Sequence, residues 1–390
     1  MLEVIAIISI LFLLYIYYGY GVLLKALVFI KNTLNHKDSE FIKAEIFPTV
    51  TILISVHNEV SHINERLKNI FACDYPIDKL EVVIVSDASD DGTDELIVRL
   101  DNQKVQLLRV DDRVGKTGAQ NYAMQYIVSE IVIYTDANAS FDRAFIKNIV
   151  RPFDNPGVGA SVGHLLFITK NSSGVSKSQG YYWRYELLLR KLESKLNILA
   201  VSSGSCLALR KRLFIQMDDA YGDDCIIPLT MVNQNYRVVF ADNAFTFDEM
   251  PYEPSEELRT RIRMTLRNWQ CTWSVPSLLN PLINPGVAFS LWSHKILRWL
   301  SPFFLIVLIV SSNSWALISG DLNAVVLSFL IDMFLLLSII GFIINEKKIS
   351  IPGSKTAFSF ALANIGFFIG VIRALLGHKI RAYEKVKSVL

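Results

Sequence analysis

Asp136 and Asn138 stand where the apolar run of VIYTDANAS (132–140) stops abruptly. A buried strand that ends in a carboxylate delivers it to the carboxyl edge of an α/β sheet, the edge at which open sheets bind ligands. Two hard oxygen donors one residue apart suit Mg²⁺ or Mn²⁺, which keep waters and share substrate phosphates. Such triplets also occur in ordinary Asx turns. Here, however, two further strands end the same way: LEVVIVSDASDDGT (80–93) breaks at Asp87, and TVTILISVHNEV (49–60) at His57, Asn58 and Glu59. Ser89 or Asp90 is enough to cap the following helix, which leaves Asp87 to accept hydrogen bonds from a ribose or a base. Asn58 and Glu59 either cap the helix after them or touch the same nucleotide.

The elements that must position these groups follow a regular rhythm. Strands over 49–56, 81–86, 104–110 and 130–135 alternate with helices over 60–72, 93–101 and 117–129. This βαβ order predicts a mostly parallel, doubly wound α/β sheet. Further along, QGYYWRYELLLRKLESKL (179–196) has the spacing of an amphipathic helix, which covers a core or borders a membrane. VSSGSCLALR (201–210) is a small-residue loop running into a strand. GDDCIIPLTMVNQNYRVVF (222–240) reads as turn, helix and strand, and EELRTRIRMTLRNWQCTW (256–273) as a basic helix.

Of the 390 residues 52% are apolar, high for a soluble chain. The excess is concentrated. Val4 to Leu24 is 21 residues without a charge, enough at about 1.5 Å per residue to cross a hydrocarbon layer of roughly 30 Å. It lacks the basic n-region of a signal peptide and reads as a retained anchor. Leu300 to Gly320, Leu322 to Asn345 and the shorter Thr356 to Ile372 are further candidate spans, and LWSHKILRW (291–299) has the aromatic and basic mix of a membrane interface. Lys25, Lys31, Lys37 and Lys43 place the end of the first segment in the cytoplasm, and Lys347, Lys348 and Lys355 do the same for the stretch after the third. A crossing by 356–372 would then put Arg373, Lys379, Arg381, Lys385 and Lys387 outside, against the same rule, so that segment is either a span or an interfacial stretch. Asp332, mid-segment, is expected to face protein or water. A net charge of +2 gives no ground for nucleic-acid binding, and four cysteines without zinc spacing predict reduced core thiols.

The ordered set HNE, VSDASDDGT, VGKTGAQNYA (114–123), TDANAS, SSGSCLALR, GDD and RIRMTLRNW resembles the family 2 glycosyltransferases of the GT-A fold, in particular the membrane-embedded synthases of bacterial surface polysaccharides. The resemblance runs from about Thr49 to Trp273. It implies a cytosolic catalytic domain over 48–275, an anchor over 1–30, an interfacial helix over 285–299, membrane helices over 300–376, a basic tail over 377–390, and residence in a bacterial inner membrane. It also implies a nucleotide-sugar donor, UDP-linked, a saccharide or lipid-linked acceptor, and Mg²⁺ or Mn²⁺ as cofactor. Asp136 and Asn138 match the cation-binding DxD element with a neutral second ligand. Asp87, Asn58, Glu59 and Lys116 match the donor site, and Ser203, Gly204 and Ser205 the loop beside the acceptor. Asp224, with Asp223 as the alternative, matches the general base. Arg263, Arg267 and Trp269 fall near the QxxRW element of processive members, but Asn268 separates the last arginine from the tryptophan and no glutamine precedes it. Two alternatives remain: transfer to a polyprenyl phosphate, and a non-catalytic membrane scaffold.

Overall fold

Val50–Val56 (β1), Leu80–Asp87 (β2), Val105–Val110 (β3) and Ile131–Thr135 (β4) pair in parallel in the computed structural model, which describes residues 1–34, 47–168, 174–249, 253–344 and 351–380, without the side chains of 174–179 and 181. Parallel strands covered on both faces need apolar residues on both, and β1, β2 and β4 are buried almost throughout. Leu53, Val83, Val132 and Tyr134 point into one core, and Ile52, Ile54, Ile84 and Ile133 into the other.

The sheet has eight strands in the order β3-β2-β1-β4-β7-β6-β8-β5. Ser140–Phe141 (β5), Val158–Ile168 (β6), Leu207–Arg210 (β7) and Arg237–Glu249 (β8) complete it. β7 runs antiparallel to β4 and β6, while β6 and β8 are parallel. The sheet is thus mixed and mostly parallel, and its strand order reverses between β1 and β4. That reversal opens a crevice at the carboxyl ends, into which the residues after β1, β2 and β4 project.

Helices Ile63–Phe71 (α2), Thr93–Arg99 (α3), Gly115–Ala123 (α4) and Phe145–Val150 (α5) cover the sheet. α4 begins two residues before its expected start, because Asp87 accepts the backbone N–H groups of Val114 and Gly115 there. Gly174–Lys195 (α6), Asp223–Asn233 (α7) and Pro254–Trp273 (α8) extend the domain towards the apolar helices. All four cysteines are free and buried, as expected.

Four helices are long and apolar enough to cross a membrane: Leu2–Leu34 (α1), Pro285–Ser319 (α9), Leu322–Ile343 (α10) and Ser354–Leu375 (α11). The interfacial stretch expected over 285–299 is not a separate helix. It runs into the next span through a π-helical turn at Leu291–Ile296. In α10, Asp332 accepts a hydrogen bond from Asn313 of α9 at 3.3 Å, although the residue is otherwise exposed.

α11 is placed differently from the other three. Its first half meets Ser301 of α9 and Tyr17 of α1 through Asn364, while Gly366 and Gly370 press against Arg261 and Thr265 of α8. Beyond its end, the His378 carbonyl accepts from Gln270 of α8 at 2.8 Å. The chain is thereby led along the α/β domain rather than away from it. A Cβ at Gly370 would stand 2.6 Å from that of Thr265 and 3.0 Å from the Ile262 carbonyl. Gly370→Val is expected to separate the two helices and destabilise the protein by about 1–3 kcal/mol, the usual cost of overpacking, read as a lowered melting temperature in detergent.

Where α6 meets α9, Glu186 accepts from His294 (2.9 Å), Lys295 (2.8 Å), Arg298 (2.9 Å) and Arg190 (3.3 Å). Glu193 takes Tyr20 of α1 (2.7 Å), Ser290 (3.0 Å) and the other nitrogen of His294 (2.8 Å). Burial alone would raise the Glu186 carboxyl. The surrounding positive charge of His294, Lys295 and Arg190 outweighs it and holds the group well below the usual carboxylate range.

Candidate active site

A cleft of about 410 Å³ lies at the strand-order reversal. From β1 come His57 and Glu59, from β2 Asp87, from the start of α4 Lys116, from β4 Asp136 and Asn138, from the start of α7 Asp223 and Asp224, and from α8 Arg263 and Arg267. Carboxylates 137 residues apart in the sequence, Asp87 and Asp224, therefore line one space.

Lys116 is its electrostatic centre. The ammonium bonds Asp136 at 2.7 Å and stands 3.2 Å from Asp223. Burial would lower the pKa of Lys116, but the two carboxylates raise it above the ordinary lysine value. Asp223 is buried and also accepts from Gln120 at 2.8 Å and from the backbone N–H of Asp224 at 3.0 Å. Its burial penalty is outweighed by Lys116, with Gln120 assisting, so its carboxyl sits below the usual range.

Asp224 behaves oppositely. Burial, and then the negative charge of Asp223, push its pKa up. Its carboxylate takes no hydrogen bond from any described residue, whereas its backbone carbonyl holds Ser202. Gly222 makes room for it: a Cβ there would lie 2.4 Å from Asp224 Oδ1. Gly222→Ala is expected to displace that carboxylate and lower turnover more than tenfold, measured by steady-state kinetics.

The remaining sequence-named residues take several positions. Asp87 spends both oxygens on backbone N–H groups, Val114 at 2.8 Å and Gly115 at 3.0 Å, so it fixes the turn that carries Lys116 while facing the cleft. Asn58, with φ at +58°, ties its side chain to Asp90 and does not line the cleft. Glu59 lines it and pairs with His62 at 2.9 Å. Arg267 clamps the loop before Asp223, donating to the carbonyls of Ala220 (3.1 Å) and Tyr221 and to Thr117 Oγ1 (3.0 Å). Trp269 turns away, packing on Trp273 and Trp299 with ring centroids 5.9 and 6.0 Å distant. Ser203 accepts from Arg190 at 2.5 Å, and Gly204 lines the cleft beside Lys116. Ile380, beyond α11, also reaches it.

Sequence reasoning missed Asp248, at the end of β8. It accepts the Asn138 amide at 3.0 Å, and burial followed by the charge of Asp136 pushes its pKa up to about 6. The rule that singled out Asp87 and Asp136, a strand ending in an acid, applies equally to FTFDE. Arg66 was missed too; it is 2% exposed, bonds Thr135 at 2.8 Å and lies 3.9 Å over the Phe141 ring.

Asp136, Asn138 and Asp248 present only oxygen as ligand atoms, a set that fits a hard divalent cation. Among the described residues no three His, Cys, Asp or Glu gather as a protein-only metal site. A cation held here would complete its shell with phosphate oxygens and water.

Residues 51–217 match the model of the family Glycosyl transferase family 2. The chain carries a family 2 glycosyltransferase domain. The solved structure of the mannosyltransferase PcManGT from Pyrobaculum calidifontis, in complex with GDP-Man and Mn²⁺, superposes with a TM-score of 0.72 over 97% of this chain and 99% of that one, at 22% identity, and shares the fold. An N-acetylglucosaminyltransferase of Rhizobium sp. (strain N33) is 19% identical over 74% of this chain and 66% of its own length. A poly-beta-1,6-N-acetyl-D-glucosamine synthase of Staphylococcus aureus (strain COL) is 28% identical over 37% and 34%. The chain thus spans two thirds or less of the length of these curated relatives. The matched stretch contributes Asp87 and Asp136 to the cleft, while Asp223 and Asp224 come after it.

Proposed function

We propose that the protein moves a sugar, with inversion, from a nucleotide-sugar donor, UDP-linked, to a hydroxyl of a membrane-borne saccharide acceptor. The observation that carries this reading is the division of labour between adjacent aspartates. Asp223 is paired with Lys116 and bonded by Gln120, whereas the Asp224 carboxylate takes no hydrogen bond from the described residues and has a raised pKa, suited to accepting the proton of an attacking hydroxyl. A divalent cation on Asp136 and Asn138 would offset charge on the leaving diphosphate. Lys116 and Arg263 line the same space and add positive charge for that group. The saccharide-synthesising names of the relatives agree with a saccharide acceptor.

The packing of α11 supports an orientation. α8 carries Arg261, Arg263 and Arg267 and borders the cleft, and in this reading the half of α11 that packs on it stays outside the hydrocarbon. Three helices then cross, α11 rests at the cytosolic interface of the bacterial inner membrane, and Arg373 and Lys379 stay on the catalytic side. This removes the conflict with the positive-inside rule. Residues 381–390 of the basic tail lie outside the described residues.

Release of nucleoside diphosphate from a panel of UDP- and GDP-sugars, with Mn²⁺ or Mg²⁺ and a saccharide acceptor pool, tests the reading. Turnover with at least one donor is expected, and EDTA is expected to abolish it until metal is restored. No release with any donor would refute transfer, and full activity in EDTA would refute the role of the cation.

A further inference from the structure

In the stretch Asp136-Ala137-Asn138 the second oxygen ligand is a neutral amide, and the strand beside it carries an acid. We propose that Asp248 is the second carboxylate of the cation site, supplied from β8 in place of the charge that Asn138 lacks. The proposal rests on the metal-dependent reading above.

The sheet fixes the juxtaposition. β5 and β8 are antiparallel with Ser140 opposite Phe247 and Phe141 opposite Thr246. The residues just before Ser140 must therefore meet those just after Phe247. On its other side β8 is held by β6, with Phe167 opposite Asp248. Asn138 Nδ2 lies 3.0 Å from Asp248 Oδ1, which also accepts the Glu249 N–H at 2.7 Å. Both bonds fall on one oxygen. Oδ2 of Asp248 takes no hydrogen bond or ion pair from the described residues.

Charge balance points the same way. Asp136, Asp223 and Asp224 line the cleft, and Asp248 stands beside it, bonded to the lining residue Asn138. The Lys116 ammonium is shared between Asp136 and Asp223. Arg66, which also acts on Asp136 and Asp248, is committed to Thr135 and Asn69. A divalent ion beside Asp136 and Asp248 would meet two carboxylates, of which only Asp136 is paired with a cation among the described residues.

The test is Mn²⁺ titration followed by electron paramagnetic resonance on the full chain in detergent, with UDP and with GDP in separate arms. Asp248→Asn is expected to weaken Mn²⁺ binding at least tenfold, the scale seen when support of a metal site is removed. Adding Asn138→Asp to it returns the missing charge and is expected to restore affinity to within about threefold of the wild type. Melting temperatures of both variants at neutral pH check folding; replacing a crowded carboxylate by an amide is expected not to lower them. Wild-type Mn²⁺ affinity in Asp248→Asn, or no recovery in the folded double variant, would overturn the assignment of Asp248 alone. A wild-type protein that binds no Mn²⁺ with either nucleotide would overturn the metal-dependent reading and this assignment with it.

Discussion

Asp224→Asn is expected to lower sugar transfer by about 10²- to 10⁴-fold, the range a positioned general base supplies, with donor affinity unchanged. The substitution keeps the volume of the side chain and removes only its ability to take a proton. Among the described residues none donates a hydrogen bond to the Asp224 carboxylate that the amide would break, so the cleft is expected to keep its shape. Asp223→Asn should behave differently. It withdraws one of the two carboxylates that hold Lys116, and with it the repulsion that raises Asp224. Donor KM is then expected to change together with kcat. The pH profile separates the two roles. Asp224 must be ionised to act, and its pKa is raised in the folded protein, so wild-type turnover is lost as pH falls through a value above the ordinary aspartate range. In Asp223→Asn that acid limb should move to lower pH. Initial rates against pH, alongside titration calorimetry with nucleoside diphosphate, give both readouts. An Asp224→Asn enzyme with wild-type turnover would end the assignment.

His57, Asp87 and Asp136 were legible because each follows or ends an apolar run, whereas Asp223 and Asp224 were named only through the family resemblance. β1, β2 and β4 lie in the parallel half of the sheet, where burial on both faces leaves nothing polar until the strand stops. The other half, beyond the antiparallel β7, carries a weaker signal. β6 spans 11 residues, yet its apolar pattern is diluted by Gly159, Ser161, Gly163 and His164, which lie against other elements rather than water. With β6 unrecognised, β8 had no partner, and the acid at its end had no reason to be placed near Asn138. Asp87 shows a second limit. Its position was foreseen, but not that both its oxygens are spent on the turn at Val114 and Gly115. The packing of α11 was the least legible of all. Length and hydropathy describe a possible crossing, and they say nothing of the close approach of α8 at Gly366 and Gly370.

Glu186→Ala is expected to be the most damaging single change for stability, costing about 3–5 kcal/mol, the penalty for stripping one partner from a buried ion pair. The carboxylate is 3% exposed, and Arg298 and His294, 3% and 1% exposed, meet it alongside Lys295 and Arg190. Without it these cations face one another in a low-dielectric junction, with Glu193 as the nearest remaining carboxylate. Glu186→Gln keeps the shape and some hydrogen bonds but not the charge, and should fall between alanine and wild type. The apparent melting temperature and the rate of thermal inactivation in detergent rank the three; a chain built of a domain and membrane helices need not unfold in one step. The loss should also reach the cleft. Arg190 holds Ser203 at 2.5 Å while bonded to Glu186, and Ser203 precedes Gly204 beside Lys116. Residual transfer in folded Glu186→Gln is therefore expected to fall through kcat, with nucleotide binding retained. An alanine variant that matches the wild type in melting temperature would show that the charged junction between α6 and α9 is not what fastens the catalytic domain to its membrane helices.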